Sequence, residues 1–152
     1  MEVNESNLIE NELTLRDLRI TSEVTETRRS TVRWLALSLG IISPGESRLT
    51  AVSVFDALLY FQFAEKSDPS VEEMMSYING SWGAINEKTL RYHLLQLKKA
   101  NLLSNSKGKY FLVAPSMGDK YDPDNWITSY LDSQVNPIRD KIKIAIRKLK
   151  GQ

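Results

Sequence analysis

The sequence predicts a mainly α-helical fold that carries one small β-hairpin. Apolar residues recur at the three- and four-residue spacing of a helix in several segments, and capping or breaking residues separate these segments. One pair of short apolar stretches instead flanks the tetrapeptide Ser-Lys-Gly-Lys at residues 106–109, which is typical of two strands joined by a tight turn. A chain of 152 residues has room for one large or two small domains.

The first 46 residues are predicted to form a helical extension with an acidic start. Residues 1–26 carry seven acidic side chains against two basic ones, a net charge of −5, and a segment of this charge repels nucleic acid. A helix is expected from Ser22, its N-cap, to Leu39, because apolar residues recur there at helical spacing. Gly40 then suits the left-handed end of that helix.

Residues 47–116 are predicted to form the central domain, which begins with the most apolar helix of the chain. Residues 49–64 are apolar nearly all round, so this helix needs cover on several sides, either from its own domain or from a second subunit. Ser70 and Glu73 form a capping box that opens a short helix, and Gly80 is expected to end it.

The next predicted helix, residues 86–100, is amphipathic and basic. Asn86 can cap it, and three leucines four and three residues apart mark its buried side. The opposite side is long, polar and cationic. The buried side is made of Leu90, Leu94 and Leu97, and the opposite side of Lys88, Tyr92, Gln96 and Lys99. Residues 102–105 and 110–114 follow as the two strands of the hairpin.

The C-terminal segment, residues 117–152, is predicted to be helical and to serve packing or dimerisation. Asp122 caps a helix that Pro123 begins, and the pair Asn136-Pro137 is expected to restart it. An apolar stripe at helical spacing then runs among basic residues, and residues 139–150 carry a net charge of +5. The stripe contains Ile138, Ile142, Ala145, Ile146 and Leu149. Together with the apolar helix of the central domain, it favours a homodimer over a monomer.

The order of these elements is a long helix, a short helix, a basic helix, a hairpin and a long helix, which is that of a winged helix-turn-helix protein. The stretch NEKTLRYHLLQLKKANLL at residues 86–103 resembles the recognition-helix segment of ArsR- and MarR-type regulators of bacteria and archaea, and the resemblance covers roughly residues 50–114. Asn101 stands where those families usually have glycine, and asparagine also tolerates the left-handed conformation. The resemblance implies duplex DNA as the ligand and transcription regulation as the function. A cytoplasmic, nucleoid-associated location is expected, because the chain has no cysteine and its acidic start lacks the basic residues of a secretory signal.

The charges of the basic helix and the hairpin fit duplex DNA on physical grounds as well, because residues 86–109 carry a net charge of +5. A cationic helix fits the major groove, roughly 12 Å wide, where arginine and lysine reach guanine and glutamine pairs with adenine. A Lys-Gly-Lys wing at the hairpin tip adds salt-dependent contacts to phosphate. The predicted DNA-binding residues are Lys88, Thr89, Arg91, Tyr92, Gln96, Lys98, Lys99, Lys107 and Lys109.

The sequence predicts neither an enzyme nor a cofactor or metal site. Its glycines are scattered and form no phosphate-binding loop, and no Gly-x-Ser-x-Gly turn occurs. The chain has no cysteine, and its one histidine, His93, is expected to pack or to contact phosphate. No membrane association is expected either, because the longest apolar run is too short for a span and contains Asp56 and Gln62.

Two alternatives to DNA binding stay open at the level of sequence. A winged helix can use the same basic face to bind a protein within a larger nucleic-acid-processing complex. It can also bind RNA, for which Tyr92 and Tyr110 would have to stack unpaired bases. The sequence identifies no operator and no small-molecule effector, and it does not distinguish an activator, a repressor and an architectural protein.

Overall fold

Five α-helices and one antiparallel hairpin make up the regular structure of the described residues, so the predicted mainly α fold with a small β-hairpin is confirmed. A computed structural model describes residues 4–114 and 118–152. The chain divides into two units, Met1–Ser47 and Arg48–Gln152. The predicted boundary between the central domain and the C-terminal segment, at residues 116 and 117, lies outside the described residues.

The first unit consists of an extended segment packed along one helix. A short 3-10 turn, Glu5–Leu8, begins it, and helix α1, Arg28–Ser38, is its longest element. Arg16 fastens the extended segment to the end of the helix, because its Nη1 donates to the carbonyl oxygens of Leu37 and Ile42 at 2.8 and 2.9 Å. The Leu37 carbonyl belongs to the last turn of the helix, whose carbonyl groups lack an intrahelical donor, and Ile42 lies in the segment after the helix.

Helix α1 begins at Arg28, later than the predicted start at Ser22. Thr27 is the N-cap: its side chain accepts from the Ser30 backbone N–H at 3.1 Å, and the Ser30 hydroxyl accepts from the Thr27 backbone N–H at 3.3 Å. Ser30 also donates to the Val24 carbonyl at 2.6 Å. This capping box satisfies the first orphan donors of the helix and holds the residues before it in a turn.

The end of α1 depends on glycine at position 40. Ile41 N–H donates to the Ala36 carbonyl at 2.8 Å and Gly40 N–H to the Leu37 carbonyl at 3.2 Å, which is the Schellman arrangement. Gly40 has φ +73°, and a Cβ there would lie 2.5 Å from the Thr14 carbonyl oxygen. The left-handed backbone and the close approach of the extended segment therefore both require glycine.

Helix α2, Thr50–Leu59, lies at the centre of the second unit. Residues 52–59 are all buried, so the cover predicted for this helix comes from the chain itself. The apolar character of the helix is consequently no argument for a second subunit. A π-helical turn, Tyr60–Glu65, continues the helix, and Lys66 ends it in the left-handed conformation with φ 54°.

Helix α3, Val71–Ser81, opens with the predicted capping box of Ser70 and Glu73, which is confirmed. Gly80 does not end the helix but lies in its last turn. A buried carboxylate joins this helix to α2: Asp56 Oδ2 accepts from the Tyr77 hydroxyl at 2.7 Å and from the Trp82 indole N–H at 2.8 Å. Because both donors belong to α3 or its cap, Asp56 fixes how the two helices pack.

Helix α4, Glu87–Lys99, follows with Asn86 as its N-cap, as predicted. Its three predicted core leucines are buried. Asn101 has φ 64°, and Leu102 N–H donates to the Leu97 carbonyl at 3.0 Å, so this helix also ends in a Schellman arrangement. The left-handed role predicted for Asn101 is therefore confirmed.

The hairpin consists of strands β1, Leu103–Ser106, and β2, Lys109–Leu112. Ser106 pairs with Lys109, so the turn contains only Lys107 and Gly108, with φ 53° and 75°. Positive φ at both central residues is the type I′ geometry, whose twist matches that of the flanking strands.

The outer edge of β2 is hydrogen-bonded to the helical part of the unit. The buried amide of Gln62 donates to the Leu112 carbonyl at 3.0 Å and accepts from the Leu112 N–H at 2.6 Å, as a neighbouring strand would. Tyr110 N–H donates to the Pro69 carbonyl at 2.9 Å. The hairpin is therefore held to the π-helical turn and to the segment before α3.

Helix α5, Pro123–Lys150, starts at the predicted Asp122 cap. The predicted restart at Pro137 is wrong, because one helix continues through that residue. Proline lacks only one of the many intrahelical donors, and a helix of 28 residues continues on both sides of it. Residues 136–152 are all exposed.

Candidate nucleic-acid interface

The outward face of α4 is the side of this helix opposite its buried leucines, and it is densely cationic. The leucines fix the rotation of the helix about its axis, so the side chains between them point to solvent. Exposed residues on this face are Lys88, Arg91, Tyr92, Leu95, Gln96, Lys98 and Lys99. Thr89 is half-buried beside them. Six of the nine predicted DNA-binding residues therefore lie exposed on one helix face.

One cation of the outward face is paired along the helix. Arg91 Nε donates to Glu87 Oε2 at 3.0 Å, and both side chains are exposed. The hydrogen bond and the charge of Glu87 raise the pKa of Arg91. An exposed pair one turn apart is weak, so a phosphate or a base can take the place of Glu87.

Two of the predicted lysines join the outward face to the rest of the unit. Lys98 Nζ donates to Asn105 Oδ1 at 2.9 Å, which connects the end of α4 to strand β1. Lys109 Nζ lies 3.3 Å from Glu73 Oε1 at the start of α3. The hydrogen bond from the Ser70 backbone N–H, more than Lys109, lowers the pKa of Glu73. Both cations remain at the surface while they hold helix and hairpin together.

The tip of the hairpin presents Lys107 to solvent. Its backbone has φ 53°, a conformation that lysine adopts at a cost and that asparagine or glycine adopts more readily. A lysine in this place therefore adds a charge at the expense of local stability. Gly108, the other turn residue, has no side chain that could cover the ammonium group of Lys107.

The N-terminus of α4 is less open to an anion than the sequence suggests. Asn86 Oδ1 accepts the Thr89 backbone N–H at 2.8 Å, so this donor already has a partner. A DNA contact of Thr89, one of the predicted binding residues, therefore depends on its half-buried side chain rather than on that backbone group.

His93 lies at the flank of α4 and packs against α2. Its Nε2 is 3.1 Å from Thr50 Oγ1. Burial, and next the positive charge of Arg48, lower the pKa of His93, so the neutral ring is favoured. The contact agrees with the predicted packing role.

Leu95 is an exposed leucine on the outward face of α4 that the sequence analysis did not single out. It is 49% exposed, and Tyr92, one turn earlier on the same face, is 56% exposed. The signal was present in the sequence, because Leu95 lies five residues after Leu90 and therefore on the other side of the helix. Adjacent residues of a helix are rotated by about 100°, so Leu94 and Leu95 cannot both point into the core.

A second concave surface lies between the π-helical turn and α3. It encloses about 520 Å³ and is lined by aromatic and acidic residues. Tyr60 and Tyr77 stack on each other with ring centroids 4.5 Å apart. The Tyr60 hydroxyl donates to Glu65, and Glu73 is paired with Lys109. These side chains are used in contacts with one another, so we assign no ligand to this cleft.

Neither a metal cluster nor a membrane span was found in the described residues. No group of three or more histidine, cysteine, aspartate or glutamate side chains in residues 4–114 and 118–152 is placed to hold an ion. Over the same ranges, no helix combines the length and the apolar character that crossing a bilayer requires.

Comparison with known proteins gave no match to a family model, to a curated protein or to a solved structure.

Proposed function

We propose that the chain is a winged helix-turn-helix protein that binds double-stranded DNA sequence-specifically and regulates transcription. In this proposal α4 is the recognition helix and the hairpin is the wing. The observation that carries the proposal is the outward face of α4, whose exposed cations continue onto the hairpin through the contact of Lys98 with Asn105.

The arrangement of charges supports a nucleic acid as the ligand. Cations occupy the outward face and the hairpin tip, and two of the nearby acidic side chains, Glu87 and Glu73, are already paired with Arg91 and Lys109. A third, Glu72, adds a negative charge near Arg91. A helix of this charge fits the major groove, and Lys107 lies on a turn that can reach a neighbouring phosphate.

We further propose that the protein acts as a homodimer that pairs through α5. Its exposed second half carries Ile138, Ile142, Ala145 and Leu149, spaced by four, three and four residues as in a coiled coil. Two paired copies would place two recognition helices on half-sites about one DNA turn apart.

The test is fluorescence anisotropy with mixed-sequence duplex DNA, single-stranded DNA and duplex RNA over a salt series. We expect preferential binding to duplex DNA with a steep negative dependence of log K on log salt. The double variant Lys107→Ala/Lys109→Ala is expected to flatten that slope by up to about 2 units.

The matched control is Lys143→Ala/Lys150→Ala, which removes the same charge from exposed positions of α5. It should leave the salt slope close to that of the wild type. Equal slopes for the wild type and the wing variant would disprove the wing assignment, and absence of duplex binding even at low salt would disprove the proposed function.

A second candidate function is protein binding through the same face. It is favoured by the half exposure of Tyr92 and Leu95, because buried protein–protein contacts are richest in such apolar and aromatic side chains. Failure of duplex DNA to bind, together with capture of a defined partner that Leu95→Ala abolishes, would favour it.

A further inference from the structure

We infer that α4 recognises A·T base pairs by placing Tyr92 and Leu95 against the C5-methyl groups of thymine. The inference rests on the proposed function and concerns which bases that function selects. It assigns a specificity role to Leu95, which the charge pattern of the chain does not reveal.

The first step is the position of the two side chains. At about 100° per residue, Lys88, Tyr92, Leu95 and Lys99 lie within about 60° of one another around the helix. Tyr92 and Leu95 therefore occupy the middle of the outward face, between a lysine one turn before them and a lysine one turn after them. A helix seated in the groove points this arc at the base edges.

The second step is the cost of leaving these side chains in water. Tyr92 is 56% exposed and Leu95 is 49% exposed, on a face whose other members are polar or charged. Burial of such apolar surface is favourable wherever an apolar partner is available. The charged phosphates cannot supply that partner.

The third step is the chemistry of the major groove. Each base edge there presents hydrogen-bond donors and acceptors, and thymine alone adds an apolar group, its C5-methyl. Gln96 follows Leu95 directly, and its amide can pair with the N6 and N7 groups of adenine. An A·T pair offers the methyl and the adenine groups side by side, so Leu95 and Gln96 favour the same base pairs.

The fourth step is the choice of DNA over a protein as the occupant of this face. The two apolar side chains are surrounded by Lys88, Lys98 and Lys99. Duplex DNA brings phosphates on both sides of the groove to meet these cations while the centre receives the apolar pair. This combination of a cationic border and a small apolar centre complements a groove edge.

The experiment begins with in vitro selection of a preferred duplex by the full-length protein. Each thymine of the selected site is then replaced by deoxyuridine, which keeps every hydrogen-bonding group and lacks only the methyl. We expect binding to weaken by about fourfold for each contacted methyl. Deoxyuridine placed outside the selected site should leave the affinity unchanged.

Variants connect the effect to the two side chains. Leu95→Ala should bind the thymine duplex more weakly and lose the difference between thymine and deoxyuridine at the position it contacts. Leu95→Met should retain that difference, because methionine keeps an apolar side chain of similar volume. Position 95 is exposed and alanine favours helices, so the Leu95→Ala variant should keep the fold. Circular dichroism checks this.

The matched control is Leu15→Ala in the first unit, where the leucine is 43% exposed. It should keep the wild-type ratio of thymine to deoxyuridine affinity. Equal affinity of the wild type for both duplexes, with steep salt dependence intact, would overturn the thymine inference and leave the proposed function standing. No duplex binding at any salt concentration would overturn both the thymine inference and the proposed function.

Discussion

Two regions of the chain, residues 86–109 and residues 139–150, have the same net charge of +5. They differ in the burial of their apolar side chains and in the contacts of their cations. In the first region Leu90, Leu94 and Leu97 are buried, and several cations are held by neighbouring side chains, such as Lys98 by Asn105. In the second region the cations and the apolar residues are exposed together, with Ile142 at 53% and Leu149 at 70%.

This difference teaches that net charge alone does not identify a binding surface. The basic face of α4 needs no second chain to cover its apolar side, because that side already packs in the core of the same chain. The second half of α5 has no such cover from the described residues of the same chain. We therefore propose a polyanion as the partner of the first region and another helix as the partner of the second.

The largest expected effect concerns the packing of α2 on α3, the two helices that α4 contacts. Asp56→Ala removes the carboxylate that accepts from both Tyr77 and Trp82, and the packing of α2 on α3 depends on these bonds. We expect a loss of about 3 kcal/mol in the free energy of unfolding, measured by urea denaturation.

Asp56→Asn is the control for this prediction, because it keeps one acceptor oxygen at the same place. It should cost clearly less than Asp56→Ala. Equal stability of Asp56→Ala and the wild type would show that the packing of α2 on α3 does not depend on this carboxylate. The buried support of α4, which distinguishes it from the second half of α5, would then lack this structural basis.

The next effect concerns the exposed helix. Ile142→Glu places a charge on the apolar stripe, and we expect the dimer dissociation constant to rise by at least tenfold, the equivalent of about 1.4 kcal/mol. Light scattering or sedimentation over a concentration series measures this. The stability of each chain should change little, because Ile142 is exposed within its own chain.

Lys143→Glu is the matched control, since it introduces the same residue at the neighbouring position outside the stripe. It should leave the association state unchanged. A wild-type protein that is monomeric at every concentration would disprove the pairing role of α5, and the two basic regions would then differ only in their cover.

The smallest expected effect concerns Lys107, in the first of the two basic regions. Lys107→Asn exchanges a lysine for a residue that adopts positive φ readily, so we expect a gain of about 0.5 to 1 kcal/mol in unfolding free energy. The same substitution removes the phosphate contact proposed for Lys107, so the salt slope of DNA binding should fall by about 1 unit. Thermal denaturation and anisotropy measure the two effects.

An unchanged salt slope in Lys107→Asn, with the stability gain present, would remove Lys107 from the interface. A loss of stability would instead contradict the type I′ strain argument. Lys66→Asn is a useful comparison, because Lys66 is also left-handed but lies at the end of the π-helical turn.

Local patterns predicted much of the fold. The Asn86 cap, the buried leucines of α4, the Ser70–Glu73 capping box and the Asp122 cap each depend on residues within a few positions of one another, so sequence spacing is sufficient to find them. The start of α1 was misplaced because Ser22 and Thr27 are both competent N-caps. Only the bonds of Ser30 to Thr27 and Val24 decide between them.

Contacts between distant segments could not be predicted from spacing. Gln62 meets Leu112 across 50 residues, and Lys109 meets Glu73 across 36. These contacts exist only after the hairpin has folded back on the helices. Most residue types of the candidate interface could therefore be predicted, whereas the long-range partner of Lys109 could not.

The bonds of Gln62 and Pro69 along strand β2 have a consequence for association. An exposed strand edge is a template on which another chain can add a strand, and proteins avoid aggregation by covering such edges. In β2 the outward N–H groups of Tyr110 and Leu112 and the Leu112 carbonyl are already bonded to the same chain. These three groups of the hairpin are therefore not available to pair with a third strand.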